Sequence, residues 1–148
     1  MKLYNRAVFK IMRIMAIDYG DARTGFAVSD MTGTIAGEAW VLTEWNAQAV
    51  AQKIADEASA RGVTTIILGY PKNMDGSSGP RAEKSEALAA TLREICSVPV
   101  VLWDERLTTV DAHRILSDSG KNGKKRKKTV DAVAATLILE GYLNSGRR

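Results

Sequence analysis

Three short apolar runs divide the sequence, and each is too short to form a stable helix. They are IMRIMAID at residues 11–18, VTTIILG at residues 63–69 and VVLW at residues 100–103. Short apolar runs bounded by turn residues are typical of strands that are buried on both faces. We therefore expect a core built on a sheet whose central strands are covered on both sides.

The segments between these runs predict the remaining elements. Residues 24–30 and 34–43 are rich in β-formers and follow the first run through tight turns, which predicts an antiparallel meander. Apolar spacing of three and four residues predicts helices after Asn46, from Pro80 to about Ile95, over 108–116 and from Val130 onward. Helical crossovers make the later strands parallel. The predicted fold class is α/β, with a mixed five-stranded sheet flanked by helices.

The excess of basic residues lies in the last third of the chain. Lys and Arg total 21 against 17 Asp and Glu, a net charge of +4, and residues 1–100 are balanced. Local basic excess indicates a site for an anionic partner such as nucleic acid. Its densest part is the run Lys124, Lys125, Arg126, Lys127 and Lys128, in a predicted polar loop over 117–128. Such a run is usually a solvated mobile segment, but its position just before Asp131 favours contact with a phosphate backbone.

Several classes of protein are excluded by composition. The single cysteine, Cys96, cannot form an internal disulfide, and the single histidine, His113, leaves no zinc-ligand spacing. Four basic residues interrupt the first 16 positions, so a signal peptide is not expected, and no apolar run is long enough to span a membrane. We expect a cytoplasmic protein with no membrane role, comprising a single domain over 12–148 after an N-terminal extension over 1–11.

Acidic residues occupy three comparable positions in the predicted fold. Asp18 ends the first strand, Asp104 and Glu105 end the last, and Asp131 stands in the first turn of the final predicted helix. Ligands of open α/β sheets gather beyond the carboxyl ends of the strands. Crowded carboxylates need a proton or a cation between them, and oxygen ligands without His or Cys favour Mg²⁺ or Mn²⁺. Any one of these acids could instead be merely solvated.

The loop GYPKNMDGSSGPR at residues 69–81 can cradle an anion. It leaves a strand, enters a helix and carries Lys72 and Arg81. It matches neither the P-loop nor the dinucleotide-binding motif, and it could also be a simple surface loop. The tryptophans Trp40, Trp45 and Trp103 are too dispersed along the sequence to argue for base stacking.

Four ordered segments together resemble the YqgF/RuvX family. They are DYGDARTGFAVSD, GYPKNMDGSSGPRAEK, WDERLTTVDAHRIL and KKTVDAVAATLILEGYL, and the resemblance covers about residues 12 to 144. This family is described both as Holliday-junction resolvases and as nucleases of small-subunit ribosomal RNA precursors. The resemblance implies an RNase H-like fold, which agrees with the order of elements predicted above.

The resemblance also implies roles for individual residues. Asp18, Glu105 and Asp131 fall on the family's acidic positions and are expected to be catalytic and to bind Mg²⁺ or Mn²⁺, while Asp104 supports Glu105. Arg23 belongs to the family's first motif and Arg106 to its third. The expected nucleic-acid contacts are Arg23, Lys72, Arg81, Arg106, Lys124, Lys125, Arg126, Lys127 and Lys128.

The leading hypothesis is a metal-dependent endonuclease that acts on structured nucleic acid, most directly at the 5′ end of the 16S ribosomal RNA precursor. Ribosomal precursor particles would then be partners. A resolvase acting on branched DNA, a non-catalytic nucleic-acid-binding module and a half of an actin-like phosphate-binding protein are the alternatives. Whether the chain acts as a monomer or as a homodimer stays open at this point.

Overall fold

The structure, a computed structural model, describes residues 10–105 and 123–146, and within the last helix it describes side chains from residue 132 onward. The elements are β1 Ile14–Asp18, β2 Arg23–Ser29, β3 Ala36–Thr43, α1 Ala47–Ala60, β4 Thr65–Tyr70, α2 Pro80–Ile95, β5 Val100–Asp104 and α3 Gly123–Asn144. Their order agrees with the prediction. The helix predicted over 108–116 lies outside the described residues.

The five strands form one mixed sheet in the order β3-β2-β1-β4-β5. The β1–β2 and β2–β3 pairs are antiparallel, whereas β1–β4 and β4–β5 are parallel. The predicted mixed five-stranded sheet is therefore confirmed. Because β1, β4 and β5 run in the same direction, Asp18, Tyr70 and Asp104 all lie at one end of the sheet, which we call the carboxyl end.

Helices cover both faces of the sheet. Met15 and Ile17 of β1 belong to a core cluster with α1 and α2, and the alternate residues Ile14 and Ala16 belong to a second cluster with α3. Side chains of a strand point alternately to opposite faces, so this division assigns each strand residue to one helical layer. The uniformly apolar runs in the sequence thus reflect central strands buried on both sides.

The last helix begins earlier than the sequence pattern predicts. It starts at Gly123, so the basic run at 124–128 lies on helical backbone rather than in the predicted polar loop. Lys and Arg rank among the better helix formers, and no proline interrupts the run, so the helix continues through it despite its polarity. Throughout residues 10–105 and 123–146, no helix combines the length and the apolar content that a membrane span requires.

Local signals fix both ends of α1. The side-chain oxygen of Asn46 accepts a hydrogen bond from the backbone N–H of Ala49 at 2.9 Å, which caps the first turn. At the other end Gly62 has a φ of 67°, and the N–H of Val63 donates to the carbonyl of Ala58 at 2.9 Å. This is a Schellman ending, in which glycine supplies the left-handed residue. Gly62 therefore ends α1.

Two left-handed glycines allow a paired stability test. Gly33 has a φ of 70°, and a Cβ there would lie 2.5 Å from the carbonyl oxygen of Met12, whereas a Cβ at Gly62 would meet no atom within 4 Å. Gly62→Ala should lower the free energy of unfolding by about 1–2 kcal/mol because of its left-handed backbone conformation alone. Gly33→Ala should cost about 1–3 kcal/mol more because the neighbouring backbone must also shift. If urea denaturation showed equal losses of unfolding free energy for the two substitutions, the predicted difference between Gly33 and Gly62 would be wrong.

Candidate active site

Two of the three predicted acids meet at the carboxyl end of the sheet. Asp18 is the last residue of β1, and Glu105 follows directly after β5. Strand alternation assigns both to the α3 face, since Ile14 and Trp103 belong to the cluster that packs against α3. Their side chains are hydrogen bonded to each other. Two carboxyl groups this close repel each other unless a proton or a cation lies between them.

A glycine lets the two side chains meet across the intervening strand. β4 lies between β1 and β5, so the backbones that carry Asp18 and Glu105 are separated by two strand spacings, about 9–10 Å. Gly69 of β4 lies on the α3 face at this level. A Cβ there would lie 3.1 Å from Cδ of Glu105 and 2.8 Å from Cδ1 of Ile138. Without a side chain at Gly69, the Glu105 side chain can occupy the space over β4.

This arrangement makes Gly69 the backbone residue on which the site depends most. We expect Gly69→Ala to keep the fold but to reduce cleavage by about 10- to 100-fold, because displacing a catalytic side chain by a fraction of an ångström or more is costly. Gly79→Ala is the matched control, since a Cβ there lies at an ordinary 3.5 Å from Asn73. Cleavage rates and melting temperatures of both variants test the prediction, and an unchanged rate for Gly69→Ala would contradict it.

The electrostatics of the pair favour binding of a proton or a cation. Burial raises the pKa of Glu105 above its ordinary value, and the neighbouring Asp104 raises it further. The positive charge of Arg81 and the hydrogen bond with Asp18 act in the opposite direction but do not outweigh burial. Because Arg81 is the second residue of α2, the first turn of that helix brings a guanidinium close to the acidic pair. An anionic group could be held there beside the carboxyls.

The donor atoms of the pair suit a hard divalent cation. Asp18 and Glu105 offer carboxylate oxygens, the ligands that Mg²⁺ and Mn²⁺ prefer. Among residues with described side chains, no third Asp, Glu, His or Cys joins a group that could hold a metal ion. Position 131 lies on the helical backbone of α3, four and seven residues before the buried Ala135 and Ile138. Helical periodicity places it on the same stripe of α3, and the role of the Asp131 side chain stays a prediction.

The other predicted site residues divide into two groups. Arg23 begins β2, Lys72 follows β4 and Arg81 lies in the first turn of α2, so all three lie at the carboxyl end of the sheet. Lys72 lies with its Nζ 5.4 Å from the ring centroid of Tyr70. Arg106 is outside the described residues, and so are the side chains of Lys124, Lys125, Arg126, Lys127 and Lys128. Their predicted contacts with nucleic acid stay predictions.

The structure also brings an unpredicted ion pair to this end of the sheet. Lys84 Nζ donates to Oδ1 of Asp21 at 2.7 Å, and this hydrogen bond and charge lower the pKa of Asp21. Asp21 follows β1, and Lys84 lies three residues after Arg81 on α2. Residues three apart lie on the same side of a helix, so this spacing was the signal available in the sequence. For Gly69, the only signal in the sequence was its position at the end of an apolar run.

Comparison with known proteins identifies the family. The model of the RuvX family, described as Holliday junction resolvase, matches residues 12–145. The chain belongs to the RuvX family. Two relatives named "Putative pre-16S rRNA nuclease", from Halalkalibacterium halodurans and Halothermothrix orenii, are each 46% identical to it. The alignments cover 90% of this chain and 96% and 95% of the respective relatives. This RuvX protein is therefore a nuclease, an enzyme that hydrolyses phosphodiester bonds.

Solved structures support the fold of this RuvX protein. RuvC of T. thermophilus in complex with Holliday junction substrate is similar with a TM-score of 0.62 at 13% identity, covering 92% of this chain and 97% of RuvC. The Fowlpox virus resolvase, also with Holliday junction DNA, gives 0.59 at 11% identity over 93% and 100% of the two chains. The predicted RNase H-like fold is confirmed. At this level of identity the similarity concerns the fold alone.

Proposed function

We propose that this RuvX protein is a divalent-metal-dependent endonuclease that cleaves structured RNA, with the 5′ end of the 16S ribosomal RNA precursor as its substrate. The observation that carries the proposal is the hydrogen-bonded pair of Asp18 and Glu105, which meet over Gly69 at the carboxyl end of the sheet. The relatives named as nucleases of this precursor support the choice of RNA. A cytoplasmic location, as the sequence predicts, suits such a substrate.

Asp18, Glu105 and Asp131 would hold Mg²⁺ or Mn²⁺ in this proposal. When bound, such an ion activates water and stabilises the leaving oxygen of a phosphodiester. Before an ion binds, a proton on the carboxyl pair would limit the repulsion between the two acids. The burial that raises the pKa of Glu105 also strengthens its interaction with any cation that replaces this proton.

The basic residues around the pair would hold the substrate. Arg81 is the basic residue whose charge acts on Glu105, so its guanidinium is placed to bind the phosphate that is cleaved. Arg23 and Lys72 lie at the same end of the sheet and would contact neighbouring phosphates. Arg106 and the basic run at 124–128 would extend this contact along the backbone. Contacts of this kind give affinity without sequence specificity and weaken with salt.

A four-way DNA junction is the second candidate substrate, because the family is described as Holliday junction resolvase. Resolution of a junction requires two symmetric cuts, which a homodimer with two sites could make and a single site could not make in one encounter. The mass of the enzyme bound to each substrate therefore helps to separate the two candidates. A monomer that cuts the RNA precursor would favour the leading proposal.

The decisive experiment compares substrates and metals directly. Cleavage of the 16S precursor and of a four-way DNA junction would be measured side by side with Mg²⁺, with Mn²⁺ and with a chelator. We expect metal-dependent cleavage of the precursor near the mature 5′ end. Faster cutting of the junction would favour the resolvase. Binding that survives the chelator, together with no cleavage of either substrate in Mn²⁺, would contradict both and favour a non-catalytic binding module.

A further inference from the structure

A narrow groove lies between α1 and α2 at the carboxyl end of the sheet, on the face opposite the acidic pair. A small cavity of about 40 Å³ is lined by Asp21, Arg81 and Lys84, among others, and a second of about 150 Å³ lies next to it. The two cavities share Tyr19 and Lys84. They are therefore parts of one depression, which we call the α1–α2 groove.

Arg81 connects the groove to the candidate active site. Arg81 lines its first cavity, and the charge of Arg81 acts on both Glu105 and Asp21. Its second cavity is lined in part by Ala47 and Gln48, the first two residues of α1. A chain that passes from the acidic pair along the groove would therefore meet Arg81 first, then Lys84, and finally the start of α1.

An exposed tryptophan precedes α1, the helix whose first two residues line the second cavity of the groove. Trp45 precedes α1 by two residues and is 75% exposed. The other tryptophans are engaged in the fold: Trp40 stacks on Phe26 with ring centroids 5.1 Å apart, and Trp103 is buried. A large aromatic ring that is left exposed beside a basic groove is typical of proteins that stack unpaired bases.

We propose that the α1–α2 groove binds an unpaired strand of the nucleic-acid substrate, with Arg81 and Lys84 on backbone phosphates and Trp45 stacked on a base. The inference rests on the proposed function, because the strand leads from the phosphate that is cleaved. At about 40 and 150 Å³ the two cavities are too small to enclose a nucleotide or to admit a duplex, so a single strand would lie along the groove with its phosphates against Arg81 and Lys84. A base can stack on an indole ring only when it is unpaired.

Asp21 determines how strongly the groove binds such a strand. Its carboxylate holds Lys84 at 2.7 Å, and both side chains are more than half exposed. A phosphate that binds Lys84 must compete with this carboxylate. Asp21→Asn should therefore strengthen binding of the unpaired strand, whereas Lys84→Gln should weaken it. Opposite effects from the two partners of one ion pair would not arise if the pair only stabilised the fold.

The test measures what an unpaired tail adds to binding. In an Asp18→Asn background, which prevents cleavage, affinities would be measured for a blunt RNA duplex and for the same duplex with a single-stranded tail. We expect the tail to raise affinity about tenfold, given the strength of base stacking on aromatic rings. Lys84→Gln and Trp45→Ala should remove most of that gain without changing affinity for the blunt duplex. Asp21→Asn should enlarge it.

Matched controls separate the groove from general charge and folding. Lys53→Gln removes the same charge from α1, at a lysine that is paired with Glu57 at 3.7 Å outside the groove, and should leave the gain unchanged. Binding of the tail should also quench the tryptophan fluorescence of the Asp18→Asn protein, but not that of the same protein carrying Trp45→Phe. Melting temperatures show that each variant is folded.

Three results would overturn the proposal: a tail that adds no affinity, a gain that survives both Lys84→Gln and Trp45→Ala, or an equal loss from Lys53→Gln. Cleavage by the wild-type protein is measured separately. If cleavage is normal and the tail has no effect, the groove proposal fails and the proposed function stands. If no substrate is cleaved but the tail gain depends on Lys84, the proposed function fails and the groove stands.

Discussion

Replacing Asp18 with Asn should reduce cleavage by more than about 100-fold, which is the larger end of the loss seen when only a supporting group of a metal site is removed. Asn has nearly the same shape and can keep a hydrogen bond with Glu105, so the fold should persist. It lacks the negative charge that a divalent ion requires. Initial rates with Mg²⁺ and with Mn²⁺, together with the melting temperature, test both parts of this expectation.

Asp56→Asn is the matched control for this substitution. Asp56 lies on the exposed side of α1, where its Oδ1 accepts a hydrogen bond from Nε2 of Gln52 at 3.0 Å. The same loss of charge there should leave the cleavage rate unchanged. Cleavage that persists in Asp18→Asn, or falls equally in Asp56→Asn, would show that Asp18 does not act at the reacting phosphate.

The second large effect is expected from Glu105→Gln, which should abolish cleavage and yet stabilise the metal-free protein at neutral pH. Burial raises the pKa of Glu105 from its ordinary value of 4.5. A raised pKa means that the folded state binds this proton more tightly than the unfolded state. Its favourable contribution is complete below 4.5 and is lost as the pH rises through the folded-state value. Gln remains neutral throughout and avoids this loss.

The pH dependence of stability can show the contribution of the Glu105 carboxyl separately from that of other acids. Other acids act in the opposite direction; hydrogen bonds from Thr32, Thr34 and Ile35, for example, lower the pKa of Asp30 to about 2. These contributions are common to both proteins, so they cancel when the free energy of unfolding of the wild type is subtracted from that of Glu105→Gln. Without metal, that difference should favour the variant at neutral pH and shrink on acidification. A difference that does not change with pH would contradict the assignment.

Metal ions should reverse the ranking of the two proteins. An ion present at one hundred times its dissociation constant stabilises a folded protein by about 2.7 kcal/mol if it binds only the folded state. Mn²⁺ should therefore raise the melting temperature of the wild type, while Glu105→Gln loses most of this gain. An equal rise in both proteins would indicate that Mn²⁺ binds elsewhere.

Much of the fold could be predicted because local signals agree with the tertiary structure. The apolar runs predicted the central strands, since burial on both faces leaves few positions for polar residues. Pro80 predicted the start of α2 because proline suits the first position of a helix. The start of α3 could not be predicted, because polarity suggested a loop where the helix propensity of Lys and Arg prevailed.

The site could be predicted only in part, because its geometry depends on the order of the strands. The meeting of Asp18 and Glu105 followed from their places at the ends of parallel strands. The role of Gly69 did not, since it requires β4 to lie between the two strands that carry the acids. The Asp21–Lys84 pair joins residues 63 positions apart. Three tryptophans dispersed along the sequence do not indicate a binding surface, and only the fold shows that Trp45 is exposed while Trp103 is buried.

The central claim is that Asp18, Glu105 and Asp131 share one divalent-metal site over Gly69. Crystals of the protein soaked in Mn²⁺ would test it most directly through anomalous scattering. We predict a peak in contact with the carboxyl oxygens of all three residues, and its loss in crystals of Asp18→Asn. A peak bound elsewhere, or an Asp131 side chain directed away from the acidic pair, would contradict the account.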